Sequence, residues 1–197
     1  MKTDTKKTMS INIKKGERIN LSKEAPGLKK AGIGLGWDVN VTDTGADFDL
    51  DASVFMLAAN GKIPVDEYFV FYNNLISPDG AVRHQGDNRT GEGEGDDETI
   101  EIDLTQVNGD IAEMLFVVTI HEADKRRQNF GQLSNSFIRI YDLETNEEVT
   151  KYELEEDFSR ETALEFGRLY KKDGEWRFQA VGAGYNAGLQ SFVDKYV

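Results

Sequence analysis

Two acidic blocks hold the residues with the most chemical potential in this chain. Asp47, Asp49 and Asp51 alternate with Phe48 and Leu50, and about forty residues later Gly86–Glu98 reads GDNRTGEGEGDDE. Carboxylates at i, i+2 and i+4 of an extended chain project from one face, about 6 to 7 Å apart. The second block sets six acids and four glycines within thirteen residues, with Arg89 as its basic residue. Like charges held so close repel, so a folded chain must either solvate them fully or place a cation between them. Hard oxygen donors on a glycine-bent backbone suit calcium, which takes six to eight oxygens in irregular geometry. Magnesium is the rival, but its strict octahedron favours fewer protein ligands and more water.

Taken alone, the second block reads equally well as a solvated acidic loop. The first block shifts the balance, because Phe48 and Leu50 anchor its carboxylates to a packed strand or strand edge. The spacing is not that of an EF-hand. Asp47, Asp49 and Asp51 match loop positions 1, 3 and 5, but Ala52 stands where the glycine belongs and Ala58 where the closing glutamate belongs. The ligands must therefore be gathered from separate loops, and two divalent ions would suit this many carboxylates. Asp38 could join them or cap a turn. Asn73 offers an amide oxygen beside a strand end, or belongs with Asn74 to an Asx turn. His121 and Glu122, with Lys125 to Arg127, read as a surface salt-bridge face, and Glu101 and Asp103 as strand-exterior charges.

Around these residues the composition sets limits. The 197 residues carry a formal net charge of −13, which argues against nucleic acid as a partner. There is no cysteine, so neither disulfides nor thiol redox chemistry arise from this chain. No apolar run approaches a membrane span, the strongest being Met114–Ile120, and no hydrophobic leader opens the sequence. The expectation is a cytoplasmic protein: a disordered tail over residues 1–8, then one domain over 9–197.

The elements that must position the acids are mostly strands. Strands are expected at the alternating Ile11–Ile13 and Ile19–Leu21, at the glycine-spaced apolar Gly32–Trp37, and at Asp51–Leu57, Tyr68–Tyr72, Thr99–Leu104, Met114–Ile120, Ser136–Tyr141 and Glu148–Leu154. Asn60-Gly61 and Pro78-Asp79-Gly80 supply turns. Near the end, Ser159 caps a predicted helix in which Ala163, Phe166, Leu169 and Tyr170 share a face. Asp173-Gly174 then turns into a strand at Trp176–Val181. A flexible Gly182–Gly188 link leads to a short terminal helix carrying Leu189, Phe192, Val193 and Tyr196. The class is mainly β, a sandwich or barrel with peripheral helices.

Several segments together resemble the TerD family of tellurium-resistance and stress-response proteins. They are Gly34–Asp38, Asp47–Ser53 (DFDLDAS), Phe71–Asn74, the Gly86–Glu98 block and Phe116–His121 (FVVTIH). The similarity runs from about Met9 to Tyr196. It implies a β-sandwich of two sheets with short helices, calcium bound through the acidic loops, and a bacterial stress role often directed against tellurite. It further implies ion ligands at Asp38, Asp47, Asp49 and Asp51 and within the segment from Asp87 through Asn88, Gly91, Glu92, Glu94, Asp96 and Asp97 to Glu98. Asn73 is added from its place beside the strand end. Members of the family are thought to work with one another and with a membrane-embedded companion, and those are the expected partners. Lacking cysteine, this chain cannot reduce tellurite with thiols of its own. The reading is a non-enzymatic calcium-dependent binding and assembly module. Its alternative is a metal-dependent phosphoester hydrolase, with His121 or His84 as base.

Overall fold

The computed structural model describes residues 9–39, 48–86, 95–156 and 158–197. The strands in chain order are β1 (Ile11–Ile13), β2 (Arg18–Asn20), β3 (Lys30–Val39), β4 (Leu50–Ala58), β5 (Phe69–Val70) and β6 (Val82–His84). They continue as β7 (Glu98–Asp103), β8 (Ile111–Ile120), β9 (Leu133–Asp142), β10 (Glu148–Glu153), β11 (Ala163–Lys172) and β12 (Glu175–Tyr185). Short helices are α1 (Leu21–Glu24), α2 (Ala123–Arg126) and α3 (Leu189–Tyr196). Two six-stranded sheets result, ordered β1-β10-β9-β3-β7-β6 and β2-β12-β11-β8-β4-β5. Pairing is antiparallel except between β1 and β10. This is the expected two-sheet sandwich with short peripheral helices.

The core sits between the sheets and follows the period-2 pattern. On β3, Ala31, Ile33, Leu35 and Trp37 point inward and are buried, while Gly32, Gly34 and Gly36 lie on the outer face. Ile33 faces Ile100 of β7 and Ile140 of β9, so one layer of branched side chains crosses three strands. In the second sheet, β4 and the last seven residues of β8 are buried on both faces, apart from the terminal Ala58. One face meets the first sheet. On the other, Phe55 stacks on Phe69 at 4.4 Å and meets Tyr196 of α3 at 5.1 Å.

Double burial explains the main departure from the sequence reading. The helix expected after Ser159 is strand β11, paired with β12 on one side and β8 on the other. Ala163 through Gly167 are all buried, so no polar alternation marks the strand, and Phe166 and Leu169 fall at helical spacing by coincidence. Asp173 and Gly174, both at positive φ, close the β11–β12 hairpin. The link expected at Gly182–Gly188 is largely strand, since β12 runs to Tyr185. Gly182, at φ 59°, is needed for space as well as conformation: a Cβ there would overlap the Tyr152 hydroxyl. The strand expected over Tyr68–Tyr72 shortens to Phe69–Val70 after a turn of 3-10 helix, and β6 went unpredicted. The expected tail, residues 1–8, lies outside the described residues.

Candidate metal centre at one end of the sandwich

Topology brings the two acidic blocks to the same end of the molecule. β3 ends at Asp38-Val39, and its Leu35 pairs with Glu98 at the start of β7. β4 starts at Leu50 beside Ile120, the last residue of β8. Glu98 joins the two sheets: its Oε2 accepts the Ala52 N–H of β4 at 2.9 Å. The acids at the head of β7 and those before and within β4 thus share one rim of the sandwich.

Each predicted ligand has a distinct setting. Asp38 is exposed, and its Oδ2 accepts a bond from the Asn135 amide at 2.7 Å. Asp97 Oδ2 accepts the Trp37 N–H at 2.8 Å, and the Asp97 N–H donates to Leu35 O at 2.7 Å. Burial, helped by the charges of Asp38 and Asp96, lifts the Asp97 carboxyl above the ordinary carboxylate range, against the lowering effect of the Trp37 bond. A cavity of about 630 Å³ opens beside Asp38 and Asp97. Asp96 is bound in two places by Arg139, whose Nε and Nη2 donate to its two oxygens at 2.7 and 2.8 Å.

On the second sheet, Asp49 precedes β4, its carbonyl accepting the His121 N–H at 2.8 Å. Asp49 Oδ1 is buried with no hydrogen-bond partner among the described residues, while Oδ2 lies 4.0 Å from Arg126. Asp51 is buried within β4, and its Oδ2 is 3.9 Å from His121 Nδ1. Asp51, His121 and Tyr72 line a second cleft, of about 350 Å³. Asn73 sits exposed at the tip of a tight turn closed by paired bonds between Phe71 and Asn74. The neighbouring Asn74 amide is spent on Glu67 O and Phe69 O, as an Asx-type brace would be. Asp47, Asp87, Asn88, Gly91, Glu92 and Glu94 lie outside the described residues.

Among the described residues, no three His, Asp or Glu side chains converge closely enough to hold a metal by themselves. Two features nonetheless suit a hard cation: the buried Asp49 oxygen without a bond, and the Asp97 carboxyl whose charge is opposed by burial and by like neighbours. The all-oxygen donor set fits calcium better than a metal that seeks nitrogen or sulfur.

Two residues near the rim have roles the sequence did not disclose. His84, a candidate base, is buried on the inner face of β6. Its Nδ1 accepts the Gly86 N–H at 3.0 Å, and its Nε2 lies 3.1 Å from Ala52 O and 3.4 Å from Glu98 Oε2. Both ring nitrogens therefore brace the roots of the acidic segment, with the proton on Nε2. Arg139 was invisible as a site residue. Its signal was a charge alternating with Phe137 and Tyr141 on a strand opposite three glycines. No helix among the described residues is long and apolar enough to cross a membrane.

Comparison with known proteins bears on the whole arrangement. The TerD domain model matches residues 9–196. The chain is 55% identical to the tellurium resistance protein TerD of Alcaligenes sp. over 188 residues, covering 95% of this chain and 97% of that protein. It is 52% identical to general stress protein 16U of Bacillus subtilis, covering 95% and 97%. A crystal structure of a homologue of the telluride resistance protein TerD from Streptomyces coelicolor superposes with a TM-score of 0.66 at 25% identity, covering 84% of this chain and 95% of that one. With the acidic signature, the two-sheet sandwich and relatives matched over nearly their full length, the chain belongs to the TerD family.

Proposed function

We propose that this protein is a calcium-binding stress-response module of the tellurium-resistance type, working by metal-dependent binding and assembly rather than by catalysis. The observation that carries the reading is the buried Asp49 Oδ1 without a hydrogen-bond partner among the described residues, on the same rim as Asp38 and Asp97. Asp38, Asp49, Asp51 and Asp97 would supply carboxylate oxygens. Asp47, Asp87, Asn88, Gly91, Glu92 and Glu94 would complete the shells of two ions. Bound calcium would neutralise negative charge gathered at the rim, and its binding free energy would add to the stability of the fold. The rim so ordered would present a surface to partners, among them related family members and a membrane-embedded companion, from the cytoplasm. The role in tellurite or general stress is supported by the names of the TerD and 16U relatives.

The hydrolase alternative is weakened at His84, whose two nitrogens are turned to Gly86, Ala52 and Glu98. It would rest on His121, beside Asp51 in the open cleft.

The test is calcium titration calorimetry together with thermal unfolding in calcium and in EDTA, on wild type and on the double variant Asp49→Asn with Asp97→Asn. Micromolar or tighter binding, a melting temperature lowered by chelator, and loss of both effects in the variant are expected. No heat of binding and identical melting in both buffers would overturn the calcium reading. An EDTA-sensitive phosphoester turnover abolished by His121→Ala would replace it with the enzyme.

A further inference from the structure

Within the acidic signature, Asp96 already holds a cation. Arg139 grips both of its oxygens in a planar fork, at 2.7 and 2.8 Å. The guanidinium is itself fixed, stacked on the Tyr141 ring at 4.5 Å, with Nη1 3.6 Å from Glu148 Oε2. The pair lies in a trough cut into the outer face of the first sheet by the glycines of β3. A Cβ on Gly34 would overlap the Asp96 carboxyl group, and one on Gly32 or Gly36 would overlap the ring of Tyr141 or Phe137. The alternate glycines of β3 are thus the space in which this ion pair sits. Asp97, the next residue, bonds the Trp37 N–H of β3 and lies beside Asp38.

We propose that Asp96 and Arg139 are a positioning clamp rather than part of an ion's coordination sphere. Arg139 anchors the strand-side root of the glycine-rich acidic segment, with Gly34 as the floor of its seat, so that Asp97 is presented beside Asp38. The inference rests on the calcium reading of those neighbouring carboxylates. It divides a motif whose acids look alike into those that meet the ion and those that hold the frame. A ligand carboxylate repels its neighbours when the ion is absent, whereas Asp96 attracts Arg139 whether or not an ion is bound. Neutralising the two kinds therefore changes the ion-free protein in opposite directions.

The experiment compares Arg139→Gln, Asp96→Asn, their double variant, Gly34→Ala and the control Asp97→Asn, by calcium titration calorimetry and by thermal unfolding in EDTA. Arg139→Gln, Asp96→Asn and Gly34→Ala are each expected to weaken calcium binding about tenfold or more. The double variant should bind within about twofold of the weaker single, because both changes break one link. In EDTA, Arg139→Gln and Asp96→Asn should melt about 3–8 °C lower than wild type, whereas Asp97→Asn should melt higher. Unchanged or tighter calcium binding by Arg139→Gln would overturn the clamp, since removing a competitor would then have freed a ligand. So would a rise in the EDTA melting temperature of Asp96→Asn, matching that of Asp97→Asn. If wild type binds no calcium, the calcium reading fails by itself and the EDTA arm judges the clamp. Lowered melting in both singles with no further loss in the double supports it, and unchanged melting overturns it.

Discussion

Replacing Glu98 with alanine tests whether the last acid of the signature belongs to the frame. Glu98 is 2% exposed and lies on the inner face of β7, where Oε2 accepts the Ala52 N–H of the opposite sheet at 2.9 Å. The same oxygen is 3.4 Å from His84 Nε2. Truncation strands the buried Ala52 N–H, at about 1–3 kcal/mol, and removes one packed methylene worth about 0.8 kcal/mol. Relief of a buried charge offsets part of this, leaving a net loss of about 2 kcal/mol. For a chain of this size that corresponds to a melting temperature about 4–8 °C lower. Glu98→Gln keeps an acceptor for Ala52 and should lose only about 1 kcal/mol. The assay is calorimetric unfolding in EDTA, so that no ion contributes, with hydrogen exchange at the Ala52 amide as a local reporter. Protection of that amide should collapse in Glu98→Ala and persist in Glu98→Gln. A Glu98→Ala protein as stable as wild type in EDTA, with Ala52 still protected, would refute the reasoning and return Glu98 to the ion ligands.

Other consequences follow from the packing. Burial raises the Tyr196 hydroxyl to about 12, so the folded state holds its proton after the unfolded state has released it, and stability falls as pH rises from about 10 to 12. Tyr196→Phe should flatten that alkaline slope by at most about 1.4 kcal/mol per pH unit, measured by urea unfolding at stepped pH; an unchanged slope would contradict the assignment. Phe55→Ala removes the ring on which Phe69 stacks and against which Tyr196 packs. It should cost about 3–5 kcal/mol, read from denaturant midpoints, and a cost under about 1 kcal/mol would mean that α3 packs independently of it. With a formal net charge of −13, the ion-free protein should gain melting temperature as sodium chloride is raised from 10 mM to roughly 150 mM, where the Debye length is about 8 Å. A flat salt response would show the acids already compensated within the fold.

Much of this molecule is legible in its amino-acid order because the relevant physics is local. Period-2 alternation marks β7, β9 and β10, since each buries one face more than the other. The clustering of like charges in two blocks, the second rich in glycine, poses the choice between full solvation and a bound cation before any fold is known. Those same residues also carry the resemblance to the TerD family. The reading failed at β11, which is covered on both faces like β4 and β8 but whose Phe166 and Leu169 fall by chance at helical spacing. It was also blind to partners set by non-local pairing. Asp96, Asp97 and Glu98 are three consecutive acids, yet one is gripped by Arg139, one is raised in pKa beside Asp38, and one bridges the sheets to Ala52. Nothing in their side chains distinguishes those fates. Strand direction, sheet order and the space left by the β3 glycines decide them, because burial and partner, not residue type, determine what a carboxylate does.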